Sequence, residues 1–93
     1  MINKIYLVSK VMTYSFETMN KNFIIYKDKK EAQECFDRLV SDYIEDCMDY
    51  YECSREELSE HYDINSDSDS LFCALTKSGE EEIEIELTEM EVR

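Results

Sequence analysis

The residues of this chain that could bind a metal or act in catalysis are four cysteines, one histidine and many carboxylates. Cys47, Cys53 and His61 are of the types that bind zinc, but their spacings, with five and seven intervening residues, match no common zinc motif. His61 has no evident nucleophile as a partner, and Gly79 is the only glycine, so the sequence contains no glycine-rich phosphate loop. We therefore predict a protein that is not an enzyme and has neither a cofactor nor a structural metal.

The segment 63–70 (DINSDSDS) alternates carboxylate and amide side chains in a manner typical of a calcium-binding EF-hand loop. Such a loop requires glycine at its sixth position and glutamate at its twelfth, where this chain has Ser68 and Ala74. These departures argue against a calcium site. A hydrated polar loop, with at most weak association of a cation, is the alternative interpretation.

The charge of the chain is divided unevenly along its length. Residues 1–30 contain six lysines and two carboxylates, a net charge of +4, whereas residues 31–93 contain four basic and 21 acidic residues, a net charge of −17. The total of −13 exceeds the magnitude of roughly 2–8 that keeps a small domain in solution. This balance disfavours direct binding to nucleic acid or to anionic membranes, and it favours a basic surface on a partner protein.

A long amphipathic helix positions the first group of carboxylates. Asp28 and Glu31 have the spacing of a capping box, and apolar residues then recur with helical periodicity from Ala32 to Tyr51. This pattern predicts a helix over residues 29–51. Because its apolar stripe drifts around the helix, we expect the late part to pack away from the main sheet.

The outer face of this helix carries an acidic row. Arg38 is placed to pair with acidic neighbours one turn away, but no basic residue follows it up to the end of the helix. Glu45, Asp49 and Glu52 therefore stand near the negative end of the helix dipole, which is unfavourable for stability. The row is either an ordinary solvated face or a set of carboxylates that imitates nucleic-acid phosphates. Tyr50 would add contact area beside it.

The second group of carboxylates lies on a predicted C-terminal strand. In residues 81–92 the apolar residues alternate with glutamates, including Glu82, Glu84 and Glu86. Alternate residues of a strand lie about 6.6 Å apart, close to the phosphate spacing along one nucleic-acid strand. Protection of a sheet edge by charge is the alternative reading. After Leu87 the alternation changes phase, and we expect a bulge near 88–89 to return the following apolar residues to the core.

The remaining pattern predicts strands over residues 3–14, 23–27 and 71–77, a polar loop over 63–70 and a short helix over about 55–62. The expected fold class is α+β, with an antiparallel sheet of about four strands and one long and one short helix packed on one face. We expect residues 1–93 to form a single domain. The sequence shows neither a secretory signal nor a membrane span, and its cysteines are predicted to be reduced thiols, all of which favours a cytoplasmic location.

The whole chain resembles the small acidic proteins of bacteriophages and mobile elements, in particular anti-CRISPR and anti-restriction inhibitors. The resemblance lies in the size, in the opening MINKIYLVSK, in the acidic helix over residues 31–52 and in the glutamate-rich end EEEIEIELTEMEV. It implies a cytoplasmic location in a host bacterial cell and a nuclease, such as a CRISPR effector, as the partner. No functional residue is transferred from the resemblance.

Two functions follow from these observations. The first is a stoichiometric inhibitor of a bacterial defence nuclease, whose acidic surface occupies a basic nucleic-acid-binding groove. The second is an acidic adaptor or regulatory protein that binds a basic protein without imitating nucleic acid. In both cases the predicted partner-binding residues are the following: Glu45, Asp49, Tyr50, Glu52, Glu82, Glu84 and Glu86.

Overall fold

The fold is one antiparallel sheet with a long helix against one of its faces. The computed structural model describes residues 3–14 and 17–92 of the chain. Its elements, in chain order, are β1 (Asn3–Tyr14), β2 (Glu17–Tyr26), α1 (Lys29–Tyr51), a 3₁₀ turn (Glu56–Glu60), β3 (Tyr62–Asp67), β4 (Leu71–Thr76) and β5 (Glu81–Val92). The strands lie side by side in the order β2-β1-β5-β4-β3, and neighbouring strands are antiparallel.

The predicted fold class is confirmed at the level of an α+β protein with an antiparallel sheet, but several details differ. The strand predicted over residues 23–27 begins earlier, at Glu17. The sheet has five strands in the described residues because the segment predicted as a polar loop forms β3. The predicted short helix is a single 3₁₀ turn that stops at Glu60. The polar residues of β3 fit a strand because it lies at the edge of the sheet, where one side of the strand meets water.

Helix α1 begins and ends close to the predicted residues. The backbone N–H of Lys30 donates to Asp28 Oδ1 at 3.0 Å, so Asp28 caps the helix as expected. At the other end Glu52 adopts the left-handed conformation, with φ 50° and ψ 47°. Glycine is the usual residue at this position, since a side chain there is strained. In the described residues no helix has the length and apolar character to span a membrane.

The core lies between α1 and the face of the sheet that we call the covered face. From the sheet, Val8, Phe72, Ile83 and Ile85 are almost completely buried. From the helix, six side chains are buried against them: Ala32, Cys35, Phe36, Tyr43, Ile44 and Cys47. The apolar stripe read from the sequence therefore faces the sheet, and its burial supplies the main hydrophobic stabilisation of the fold.

The late part of the helical stripe meets the segment that follows the helix. The Tyr51 ring stacks on the His61 ring with centroids 3.9 Å apart and meets the Tyr62 ring edge-on at 5.7 Å. Leu58 of the 3₁₀ turn is buried in the same core. The expectation that this part packs away from the main sheet is met only in part, because Leu58 lies outside the sheet whereas Tyr62 belongs to β3, an edge strand of the same sheet.

The prediction of a bulge near residues 88–89 is wrong. Strands β1 and β5 pair in continuous register from Asn3 opposite Val92 to Tyr14 opposite Glu81. Because side chains alternate along a regular strand, Met90 and Val92 point to the face of the sheet that α1 does not cover. We call this surface the open face.

Candidate interaction surfaces

The first predicted group of carboxylates forms one surface along the second half of α1. We call it the helix acidic surface, and its members are exposed: Asp42, Glu45, Asp46, Asp49 and Glu52. In the part of the chain that the structure describes, none of the five forms an ion pair, and Arg38 forms none with its neighbours Glu34 and Asp42. The last turn of the helix contains no basic residue. The carboxylates therefore face water without a cationic partner, beside the negative end of the helix dipole.

A cleft of about 530 Å³ opens beside this surface, between the end of α1 and the turn that joins β4 to β5. Its rim includes Tyr50, whose side chain is 80% exposed and meets the Tyr51 ring edge-on at 4.8 Å. Carboxylates line it from the helix (Asp46) and from the segment where β5 begins (Glu80 and Glu81), and Lys10 of β1 also lines it. Aromatic faces next to carboxylates attract Lys and Arg side chains, so this cleft can receive a cationic side chain of a partner.

Tyr43 lies at the buried side of the same cleft. Its hydroxyl oxygen is buried and has no hydrogen-bond partner among the described residues. Burial, with smaller contributions from Cys47 and Glu81, raises the pKa of the Tyr43 hydroxyl far above its ordinary value. Burial also raises the pKa of Tyr62, whose ring meets the Tyr43 ring edge-on at 6.1 Å. Both phenols therefore stay neutral near pH 7.

The second predicted group, Glu82, Glu84 and Glu86, lies on the open face and is here called the glutamate ladder. Glu82 and Glu84 are exposed, whereas Glu86 is half-buried and accepts a hydrogen bond from Thr88 Oγ1 at 2.8 Å. The ladder and the helix acidic surface are therefore on opposite sides of the sheet. One flat partner surface cannot contact both.

The open face also exposes large apolar side chains that the sequence analysis did not assign to a surface. The exposed fraction is 53% for Phe23, 64% for Ile25, 44% for Met90 and 41% for Val92. The signal was present in the sequence: β1 has apolar residues in consecutive positions, and β5 changes phase after Leu87. Each observation indicates a strand with apolar residues on both faces.

The aspartates of segment 63–70, which the sequence analysis compared with a calcium-binding loop, do not converge on one site. Asp63 pairs with Leu75 on the open face, and its Oδ1 forms an ion pair with Lys77 Nζ at 2.7 Å. Asp67 pairs with Phe72, a covered-face residue, and its carboxylate lies 3.6 Å from Arg55. Within residues 3–14 and 17–92, no group of three or more His, Cys, Asp or Glu is arranged to hold a metal ion.

All four cysteines are free thiols. Cys35 and Cys47 are buried, whereas Cys73 is only half-buried because it lies on the open face between Leu71 and Leu75. Burial raises the pKa of the Cys73 thiol, and the three glutamates of the ladder raise it further. Burial likewise raises the pKa of Cys47 and of Cys53. These thiols are therefore weak nucleophiles near pH 7, which gives no support to cysteine catalysis.

Comparison with models of protein families, with curated proteins and with solved structures gives no match for this chain.

Proposed function

We propose that this protein is a non-catalytic, stoichiometric inhibitor of a bacterial defence nuclease, such as a CRISPR effector. The helix acidic surface would occupy a basic groove that otherwise binds nucleic acid. The observation that carries the proposal is the set of five exposed carboxylates on α1 that have no ion pair in the described part of the chain. Basic residues in the last turn would stabilise the helix, and this helix has none there.

The mechanism is competition assisted by electrostatic attraction. Carboxylates three and four residues apart on a helix lie about 5–6 Å from one another, similar to the spacing of phosphates along a nucleic-acid strand. Lys and Arg residues of the groove would pair with Glu45 and Asp49 instead of with phosphates. Long-range attraction between the two surfaces raises the association rate by roughly 10–10³-fold at low salt.

Tyr50 supplies the part of the interface that charge alone does not. Its side chain is 80% exposed, and it lines the same cleft as Asp46 and Glu80. Tyrosine contributes a large contact area with a polar tip, and it is enriched at the centres of protein interfaces. A Lys or Arg that inserted beside Tyr50 would meet an aromatic face and carboxylates together.

The experiment uses the partner captured from a host lysate at low salt, identified by mass spectrometry and then purified. A triple variant, Glu45→Lys, Asp49→Lys and Glu52→Lys, should slow association by at least about tenfold at low salt, with a smaller effect at high salt. DNA or guide RNA should compete with the wild-type protein for the same site on the partner.

The matched control places the same charge change on the first half of the same helix, as Glu31→Lys, Glu34→Lys and Asp37→Lys. It should bind almost as well as the wild type if the surface, rather than total charge, is recognised. An equal decrease of the association rate in both triple variants would contradict the proposal that the partner recognises the helix acidic surface.

The adaptor function is the second candidate, and a specific observation favours it. The open face exposes apolar side chains, including Phe23 and Ile25, which imitation of nucleic acid does not require. If the purified partner bound the protein and nucleic acid simultaneously, inhibition by competition would be excluded and the adaptor function would remain.

A further inference from the structure

The open face of the sheet combines an apolar half with an acidic half. Paired residues of an antiparallel sheet point to the same side, so the register fixes its composition. One half brings together apolar side chains from three strands: Ile5, Leu7, Phe23, Ile25, Met90 and Val92. The other half holds the glutamate ladder, with Leu71, Cys73 and Leu75 of β4 directly opposite Glu86, Glu84 and Glu82.

The apolar half is a contiguous patch rather than a set of scattered surface residues. Leu7 pairs with Ile25, and Ile5 pairs with Met90, so these side chains are contiguous across β2, β1 and β5. Ile25 is 64% exposed. Contiguous apolar patches of this kind on a small protein mark interaction sites, whereas single exposed residues do not.

The acidic half defines the charge that an occupant must carry. A surface that covered the apolar half and continued along the sheet would remove the ladder from water. Burial of Glu82, Glu84 and Glu86 next to Leu and Val side chains is strongly unfavourable for each carboxylate unless a cation pairs with it. The occupant must therefore combine apolar side chains with Lys or Arg.

A second copy of this chain does not meet that requirement. Two open faces in contact would remove two ladders from water, six carboxylates in all. Among the cations near this face, Lys21 lies 5.0 Å from the centre of the Phe23 ring, and Lys77 is paired with Asp63. A face-to-face dimer would thus leave most of the buried carboxylates without a cation.

We propose that the open face binds an α-helix of a basic partner protein. The helix would have aliphatic residues over the apolar half and Lys or Arg residues over the glutamate ladder. We choose a helix as the occupant because a helix, α1, already fills the covered face of this sheet, whereas a single added strand would bind at a sheet edge. Ladder carboxylates lie about 6.7 Å apart, and helical residues four apart lie about 6 Å apart, so three cations can stay opposite three glutamates.

This inference does not depend on the proposed function, because the helix acidic surface lies on the other side of the sheet. A protein with both surfaces would contact two elements of one partner, or two partners. Failure of either proposal leaves the other intact.

The test uses synthetic helical peptides of about 18 residues, each about 27 Å long. The probe has Leu and Ala over the first half of one face and Lys at one-turn spacing over the second half. A peptide of the same composition with a scrambled order measures attraction by total charge. We expect the probe to bind at least about tenfold more tightly than the scrambled peptide, with NMR shifts concentrated at Leu7, Ile25 and Glu84.

Variants of the protein separate the two halves of the face. Neutralisation of the ladder, as Glu82→Gln, Glu84→Gln and Glu86→Gln, should weaken probe binding by at least about tenfold. The double variant Leu7→Ser and Ile25→Ser should weaken it by a similar factor, with melting temperature measured to show that the fold persists.

The matched control removes the same number of carboxylates from the helix acidic surface, as Glu45→Gln, Asp49→Asn and Glu52→Gln. It should change probe binding less than about threefold at moderate salt. Equal binding of the probe and the scrambled peptide would overturn the proposal. So would sedimentation of the wild-type protein as a dimer that the Leu7→Ser and Ile25→Ser changes dissociate, since the occupant would then be a second copy.

Discussion

The covered face and the open face are built from the same strands, yet they have different physical roles. In β5 the alternate residues Ile83 and Ile85 are completely buried, whereas their neighbours Glu82 and Glu84 are exposed. In β1 the buried Val8 lies next to the half-buried Leu7. A single helix is enough to bury one face and stabilise the fold. The composition of the other face is then free to serve recognition.

The largest difference between the faces should appear on truncation of a single phenylalanine. Phe36 is 2% exposed in the core, so Phe36→Ala should lower the free energy of unfolding by about 3–5 kcal/mol. Phe23 on the open face is its matched control, and Phe23→Ala should change stability by less than about 1 kcal/mol. Urea denaturation measures both. Similar losses would show that the open face stabilises the fold as much as the covered face does.

The sequence predicted the covered face better than the open one, for a physical reason. A periodic apolar stripe such as that from Ala32 to Tyr51 is a local signal, so the bounds of α1 were predicted closely. The direction of Met90 and Val92 depends on the pairing of β5 with β1, which is not a local property. We therefore expected a bulge that would turn these residues inward, where the structure has a regular strand.

The candidate surfaces also divide into features with a local sequence signal and features created by the tertiary fold. The members of the helix acidic surface follow from helical spacing, and the exposure of Glu45 and Asp49 agrees with it. The approach of Glu80 and Glu81 to Asp46 is created by the tertiary fold and has no signal in the spacing. Strand β3 was missed because its residues are polar, and edge strands tolerate polar residues.

An intermediate effect is expected for the buried hydroxyl of Tyr43. The Tyr43→Phe change removes a polar atom that has no hydrogen-bond partner in the described residues, so stability at pH 7 should stay equal or rise by up to about 1 kcal/mol. The matched change at Tyr50, whose hydroxyl lies on an 80% exposed side chain, should have no effect on stability. A clear loss in Tyr43→Phe would show that the hydroxyl has a partner.

The pH dependence of stability tests the burial of ionisable groups in the core beneath the covered face. Because the folded-state pKa values of Tyr43, Tyr62 and Cys47 are raised above the ordinary values, these groups remain protonated in the folded protein while they ionise in the unfolded chain. Stability is therefore fully present below about pH 8.5 and falls as the pH rises through the ordinary thiol and phenol pKa values. Thermal melts from neutral to alkaline pH measure this loss. The loss of stability at alkaline pH should be smaller in Tyr43→Phe. An unchanged loss would contradict a raised pKa of Tyr43 in the folded protein.

A smaller effect of opposite sign is expected for the glutamate ladder. Glu82, Glu84 and Glu86 repel one another along β5, so the triple Gln variant should be more stable by a few tenths of a kcal/mol at low salt. The Gln side chain at position 86 keeps an oxygen that can accept the hydrogen bond from Thr88. The gain should vanish at high salt. A loss of stability would mean that the ladder contributes to the fold and is not reserved for a partner.

The smallest effect, no change at all, is expected on removal of metal ions. The register of β3 places Asp63 on the open face and Asp67 on the covered face, so one cation cannot bind to both carboxylates. Each already lies next to a cation of the chain, Lys77 for Asp63 and Arg55 for Asp67. Melts with chelator, with added calcium and with added zinc should therefore superimpose. A calcium-dependent rise in melting temperature that Asp63→Asn abolished would mean that β3 can leave the sheet edge and form the loop that its sequence resembles. Asp63 and Asp67 would then no longer be held on opposite faces of the sheet by the register of β3.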